Sequence, residues 1–344
     1  MKMNWLVMLA ACAVLVSGCA TTKNLATAPA ARDGAIVIET AAVNNEDPGA
    51  AGKEAAALLK KAMGGTEPKV VVMFECYDEL ALKKKAVAGV ASVFPKDIIC
   101  GGANYGGYTE AGAHDSEAVL LMGIGGDGVA VTAALEADMG AQGLSMDDDL
   151  EKLTEVLGVA GKSLASKIPD VSNGKLMLLI ADCHSPKNQL LMDGVQSVTG
   201  KKLPITGGSI NKNDGQTYVY YRGGIYSDSA IAVLLKGNFN VAQTGRQAKD
   251  NAKVISTAQE GSATAVKDLK GKPFAAIAFD CAGRKGKLDD LSDELSAIHK
   301  SVDKDLPLFG SYCAGEYGPG DAADLEKGVP YGRGWHIMFT VLGK

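Results

Sequence analysis

The chain has 344 residues, 40 acidic and 35 basic, for a formal charge of −5. So mild an acidic balance, with few basic clusters, leaves no electrostatic footprint for nucleic acid or for an anionic lipid surface. The 42 glycines punctuate apolar runs instead of forming low-complexity tracts, so the class is globular and turn-rich, with length for about two domains.

At the amino end, Lys2 precedes an apolar run from Trp5 to Val16. That is the charged and hydrophobic sequence of an export signal, shorter than the roughly 20 apolar residues a membrane span needs. Val16-Ser17-Gly18-Cys19 resembles the lipobox of bacterial lipoproteins. The resemblance implies a signal peptide over 1–18, palmitate-type lipid on Cys19, and residence in the cell envelope; an ordinary signal peptide that contains a cysteine is the alternative. Ala20 is not the aspartate that marks inner-membrane retention in some bacteria, so the outer membrane, facing the periplasm, is the expected location. Residues 19–33 read as a lipidated tether. No second hydrophobic stretch reaches spanning length.

From residue 34 onward one order of elements occurs three times. Each copy opens with a strand (Ala35 to Ala42, Val129 to Leu135, Phe239 to Ala242) and continues with a helix (Pro48 to Met63, Asp147 to Ile168, Arg246 to Leu269). Asp147 is an N-cap candidate, and Leu150, Leu153, Leu157 and Leu164 follow at helical spacing. Continuous apolar runs come next, Lys69 to Phe74, Lys175 to Ala181 and Phe274 to Phe279, of the kind a sheet buries on both faces. All three are followed within a residue by an acid and a cysteine: Glu75-Cys76, Asp182-Cys183 and Asp280-Cys281. A second helix leads to a glycine-ended strand (Ile98 to Gly101, Leu203 to Gly207, Leu306 to Gly310), then a polar loop and a closing strand (Ala118 to Met122, Ser229 to Leu235, Trp335 to Leu342). The pattern predicts an α/β fold: three internal strand-helix-strand-helix-strand repeats forming a mixed, largely parallel sheet with helices packed on it.

Gly224-Ile225-Tyr226-Ser227-Asp228-Ser229, Phe279-Asp280-Cys281-Ala282-Gly283-Arg284 and the run from Pro307 to Pro319 resemble the FIST family. The resemblance implies a sensory module that binds a small ligand, with amino acids or their derivatives proposed, and that commonly accompanies signal-transduction domains. It divides the body into a FIST N-like portion over 34–243, holding two repeats, and a FIST C-like portion over 244–344. Lipid at Cys19 would take the place of the signalling domain. Two stretches depart from the family: Trp335-His336-Ile337 replaces an asparagine-containing lead-in to the last strand, and Thr244 to Leu269 lacks a threonine-glycine turn.

Parallel strands bring their carboxyl ends to one edge, where ligands bind in open α/β sheets. The expected ligand-binding residues are therefore Glu75, Cys76, Gly101 and Gly102 in the first repeat; Asp182, Cys183, Gly207 and Gly208 in the second; and Asp280, Cys281, Gly310 and Glu316 in the third. The loop from Asn104 to Asp115 should cover the first set. Glycines there either allow close approach to a ligand or make tight turns. Arg284 and Arg333 are the cations nearest the third set, able to hold a ligand carboxylate if not solvated.

Five cysteines remain after Cys12 and Cys19. Cys76 with Cys100, and Cys281 with Cys313, are candidate disulfides in an oxidising compartment. Cys183 has no partner, because Thr206 stands where the first repeat has Cys100. With His184 beside it, Cys183 is either a reactive thiol or a buried inert cysteine. A zinc reading would bring the acid-cysteine pairs together with His184 or His336, but no C-x-x-C spacing supports it, and neither metal nor cofactor is expected.

Gly123-Ile124-Gly125-Gly126-Asp127-Gly128 matches a dinucleotide fingerprint but runs into the strand from Val129, so it lacks the helix that must meet a pyrophosphate. It is a strand-to-strand turn. Tyr218, Tyr220 and Tyr221 before Arg222-Gly223-Gly224 suggest a hairpin whose aromatics either cover a sheet face or stack on a ligand. The function expected is a membrane-tethered sensory or binding protein that captures a small polar metabolite. A thiol-dependent enzyme using Cys183 and His184, or an envelope scaffold that docks a protein partner, is the alternative.

Overall fold

The computed structural model describes residues 34–210, 217–323 and 325–344. Cys19 and the stretches expected as signal peptide and tether lie outside these residues. Each repeat folds into the elements its apolar pattern predicts and adds a short hairpin before its closing strand. The first contains β1 (Val37–Asn44), α1 (Pro48–Ala62), β2 (Pro68–Glu75), α2 (Leu80–Ala91), β3 (Ile99–Ala103), β4 (Gly107–Thr109), β5 (Gly112–His114) and β6 (Ala118–Gly125). The second contains β7 (Val129–Glu136), α3 (Leu150–Ser166), β8 (Leu176–Ala181), α4 (Asn188–Thr199), β9 (Ile205–Ser209), β10 (Val219–Tyr221), β11 (Gly224–Tyr226) and β12 (Ala230–Gly237). The third contains β13 (Asn240–Gln247), α5 (Asn251–Asp268), β14 (Pro273–Cys281), the single turn α6 (Ala282–Lys285), α7 (Leu291–Ile298), β15 (Leu308–Cys313), β16 (Glu316–Pro319), β17 (Pro330–Arg333) and β18 (His336–Gly343).

Three six-stranded sheets result, with orders β1-β6-β2-β3-β10-β11, β7-β12-β8-β9-β16-β17 and β13-β18-β14-β15-β4-β5. Within each sheet the first four strands belong to one repeat, and the last two are a hairpin lent by another. The second repeat lends to the first, the third to the second, and the first to the third. Asn104 to Asp115 therefore does not cover its own repeat as expected. It carries β4 and β5 onto β15 in the third sheet.

The expectation of a largely parallel sheet is also corrected. In each sheet one pair is parallel, β2 with β3, β8 with β9 and β14 with β15, and the other pairs are antiparallel. The reason is the closing strand, which inserts between the opening strand and the buried strand and runs against both.

Strand alternation divides the interior. Val70, Val72 and Phe74, Leu176, Leu178 and Ile180, and Ala275, Ile277 and Phe279 point into one central core shared by all three sheets. The intervening residues, such as Val71 and Met73, or Met177 and Leu179, pack under the helices of their own repeat. Helices thus lie outside and sheets inside. Two helix starts shift from expectation: α3 begins after Asp149, not Asp147, and Arg246 belongs to β13, with α5 capped by the Asp250 side chain on Lys253 N. The glycine run at 123–128 passes from β6 into β7 with no helix following, as its strand-to-strand reading requires. Among the described residues no helix is long and apolar enough to cross a membrane.

Candidate functional site

Register decides which residues are equivalent. Gly101 pairs with Met73, Gly207 with Leu179 and Gly310 with Ala278 on the parallel side. On their other side the same glycines face Tyr220, Tyr317 and Tyr108, one from each lent hairpin. All three tyrosines are fully buried. A Cβ on Gly101 would lie 1.7 Å from Met73 O, and one on Gly207 would lie 1.9 Å from Leu179 O, so these glycines serve close strand approach. These glycines, Gly102 and Gly208 included, are flanked by the chain's own hairpins.

By the same register Glu75, Ala181 and Asp280 are equivalent, and so are Cys76, Asp182 and Cys281. The acid-cysteine pair of the second repeat is displaced by one residue. Since successive residues of a strand alternate faces, that offset changes what each side chain meets.

In the first repeat Glu75 is wholly enclosed. It accepts from Lys83 Nζ at 3.2 Å, from Tyr77 N at 2.9 Å and from the Tyr220 hydroxyl. Burial raises its pKa, against the lowering effect of Lys83 and its hydrogen bonds. Cys76 is half-buried, its thiol pushed up to about 12 by burial. In the third repeat Asp280 accepts from Arg284 Nε at 2.7 Å, while Arg284 Nη2 donates to Glu294 at 2.7 Å and Tyr312 Oη to the same carboxylate at 2.9 Å. Arg284 is therefore consumed by internal carboxylates and cannot hold a ligand. Asp280 Oδ2 and Tyr108 Oη are buried without partners. Arg333, on β17, lies over the Tyr331 ring, opposite Glu316 of β16 and not among the ion pairs of the Asp280 cluster.

Glu316 lies beside that cluster. Its Oε2 accepts from His336 N at 3.0 Å, its Oε1 lies 3.9 Å from the Cys313 thiol, and the Cys281 thiol also bonds the carboxyl. Neither candidate disulfide forms: Cys76, Cys100, Cys183, Cys281 and Cys313 are all free. For Cys76 and Cys100 the register forbids it, because Cys100 pairs with Val72, four residues or about 13 Å along the strand from Cys76. Cys281 and Cys313 stand opposite each other, with the Cys313 thiol donating to Asp280 O at 3.2 Å. Among the described residues no group of three or more metal-binding side chains forms a site.

The second repeat differs. Strand β8 ends at Ala181, one residue before the acid, so Asp182, Cys183 and His184 follow the strand and line one pocket of about 90 Å³ with Gln142, Lys187, Thr217, Ser227 and Asp228. That volume is well below the roughly 300–1,000 Å³ of drug-sized sites. Asp228 builds the outer wall. Its carboxylate accepts from Gly140 N at 2.7 Å and Ala141 N at 3.2 Å, and its own N donates to Asp182 Oδ2 at 2.7 Å. Lys187 bonds the Leu144 carbonyl from the start of α4. Cys183 is buried at the floor, and burial together with Asp182 drives its thiol pKa upward, which holds it protonated. A protonated thiol is a poor nucleophile. Lys187 and Asp228 went unread in the sequence; Asp228 stood within a quoted motif, but its contact with 140–141 is long-range.

A FIST N domain profile matches residues 69–272, more than half of the sequence, and the chain belongs to the FIST family, a family of small-ligand sensory domains. No curated protein matches the sequence. A solved cyanuric acid hydrolase from A. caulinodans is similar at a TM-score of 0.44 and 11% identity, over 90% of this chain and 100% of that one. A second cyanuric acid hydrolase is similar at 0.46 and 9%, over 90% and 99%. PurL from T. maritima, solved with AMPPCP, reaches 0.27 and 10%, over 90% and 72%.

Proposed function

We propose that this protein is a lipid-anchored sensor or binding protein that captures a small polar metabolite, such as an amino acid or a derivative, in the pocket of its second repeat. The observation that carries this reading is the pocket itself: Asp182, Lys187 and Asp228 surround a small cavity at a strand end, where the other two repeats hold closed internal ion pairs. Both signs of charge face one small space, which suits a ligand with donors and acceptors of its own. Thermal-shift screening of the folded chain with small metabolites tests it, because a ligand that binds only the folded state raises Tm by mass action. A hit should vanish in Asp182→Asn and Lys187→Met. If a broad screen moves Tm for no compound, the envelope scaffold becomes the better reading.

Anchoring through Cys19, with the body facing the periplasm from the outer membrane, is part of the same proposal. Palmitate labelling that is lost in Cys19→Ala would support it, and an unlabelled, freely soluble exported chain would overturn it.

A further inference from the structure

Ligand capture leaves one group of buried ionisable side chains unused. Glu316 opens β16, the strand that the third repeat lends to the second, and pairs there with Gly208. Its carboxyl is fully buried. The groups facing it are Asp280 and Cys281 from β14, Arg284 from α6, Cys313 from β15 and His336 from β18, and its cross-strand partner on β17 is Arg333, whose guanidinium lies over the Tyr331 ring. The His336 ring is in turn held by Asp321 at 3.0 Å. Arg284 is shared between Asp280 and Glu294 and has little charge left for a third carboxylate. Burial accordingly pushes Glu316 up to about 8.

The turn before Glu316 is bonded to the pocket. Ala314 N donates to Ser209 O at 2.9 Å, and Ser209 N donates to Gly315 O at 2.7 Å. Ser209 Oγ then donates to Cys183 O at 2.7 Å, while Ser185 N donates to Ala314 O at 3.1 Å. Both ends of the pocket floor thus hang from residues 314 and 315. We propose that Glu316 is a protonation switch for the second-repeat pocket: as the neutral acid it keeps the 313–316 turn seated against residues 183–185, and loss of its proton to solvent loosens that contact. A carboxylate without a matching cation in a dry interior favours any opening that admits water. The regulation rests on the pocket being the binding site, but the switch can be read without a ligand.

Hydrogen exchange on the full folded chain tests it. Protection of the Ser209 and Ala314 amides, corrected for intrinsic exchange, is followed from pH 6 to 9. Wild-type protection should fall by up to about tenfold per pH unit and level off above the pKa of Glu316, while Glu316→Gln stays protected throughout. Constant wild-type protection, a fall that does not level off near that value, or an equal fall in Glu316→Gln would each overturn the proposal. The wild-type profile decides the matter if the variant does not fold. A failed thermal-shift screen at fixed pH would remove the ligand and leave this result standing.

Discussion

The first and third repeats each bury an acid at the end of the central strand and neutralise it from within, whereas the second has Ala181 in that place. In the first repeat Lys83 lies across from Glu75; in the third, Arg284 bridges Asp280 and Glu294. Helix α4 offers the buried, uncharged Asn188 at its start. Acid and cation have gone together, which is what electrostatics requires, since one without the other leaves an unpaired buried charge. The same end of the second repeat is where the pocket opens. Identical topology therefore gives two outcomes, closed where the strand end carries an internal ion pair and open where the acid has moved one residue outward to Asp182.

The largest effect should come from breaking the third repeat's pair. Arg284→Met leaves Asp280 and Glu294 buried beside each other without a cation, and should cost about 3–5 kcal/mol in a urea melt. A loss under about 1 kcal/mol would mean the carboxyls are already neutral in the native state. Next in size is conversion of the first repeat to the pattern of the second. Lys83→Asn alone strands Glu75 and should cost about 3 kcal/mol, whereas Lys83→Asn with Glu75→Ala should recover a measurable part of that loss. If the double variant is less stable than the single one, the comparison between the repeats fails.

Smaller per pH unit is an effect that separates the repeats by pH. Glu316 is raised from 4.5 to about 8, so the folded state holds a proton that the unfolded chain releases. Its contribution is complete below about pH 4.5 and lost as pH rises through about 8, at up to about 1.4 kcal/mol per pH unit. Glu39, pushed up to about 7 by burial and by Glu110, adds a weaker trend of the same sign. Denaturation midpoints measured between pH 5 and 9 should therefore decline in the wild type and flatten in Glu316→Gln. An unchanged slope in the variant would assign the decline to other groups.

Much of the fold could be read from the chain because its signals are local. Apolar runs of strand length, helical spacing and repeated order placed the opening, buried, glycine-ended and closing strands of all three copies within a few residues. The hairpin exchange could not be read that way. A three-residue strand such as Tyr220 and its neighbours carries no mark of the sheet it joins, and here it pairs with residues more than a hundred positions earlier. The acid-cysteine coincidence misled for a related reason: letters aligned in sequence are offset by one in register, and one step on a strand reverses the face. Lys83 sits in a run of three lysines that reads as a solvated surface, yet it is fully buried.

The smallest expected effect bears most directly on that exchange. The hairpin tyrosines Tyr220, Tyr317 and Tyr108 occupy equivalent places, but their hydroxyls do not have equivalent company. Tyr220 Oη donates to Glu75, and Tyr220→Phe should cost about 1–3 kcal/mol, because a buried carboxylate loses one of its donors. Tyr317 Oη lies toward Ser209, whose hydroxyl donates to Cys183 O, but makes no bond of hydrogen-bonding geometry. Removing a buried hydroxyl that makes no bond removes a desolvation cost and nothing else, so Tyr317→Phe should lie within about 0.5 kcal/mol of the wild type, or slightly above it. Parallel melts of the two variants compare the hydroxyls with the ring packing held constant. Equal losses would mean that the second repeat holds a partner for Tyr317, and the contrast between closed and open strand ends would have to be redrawn around it.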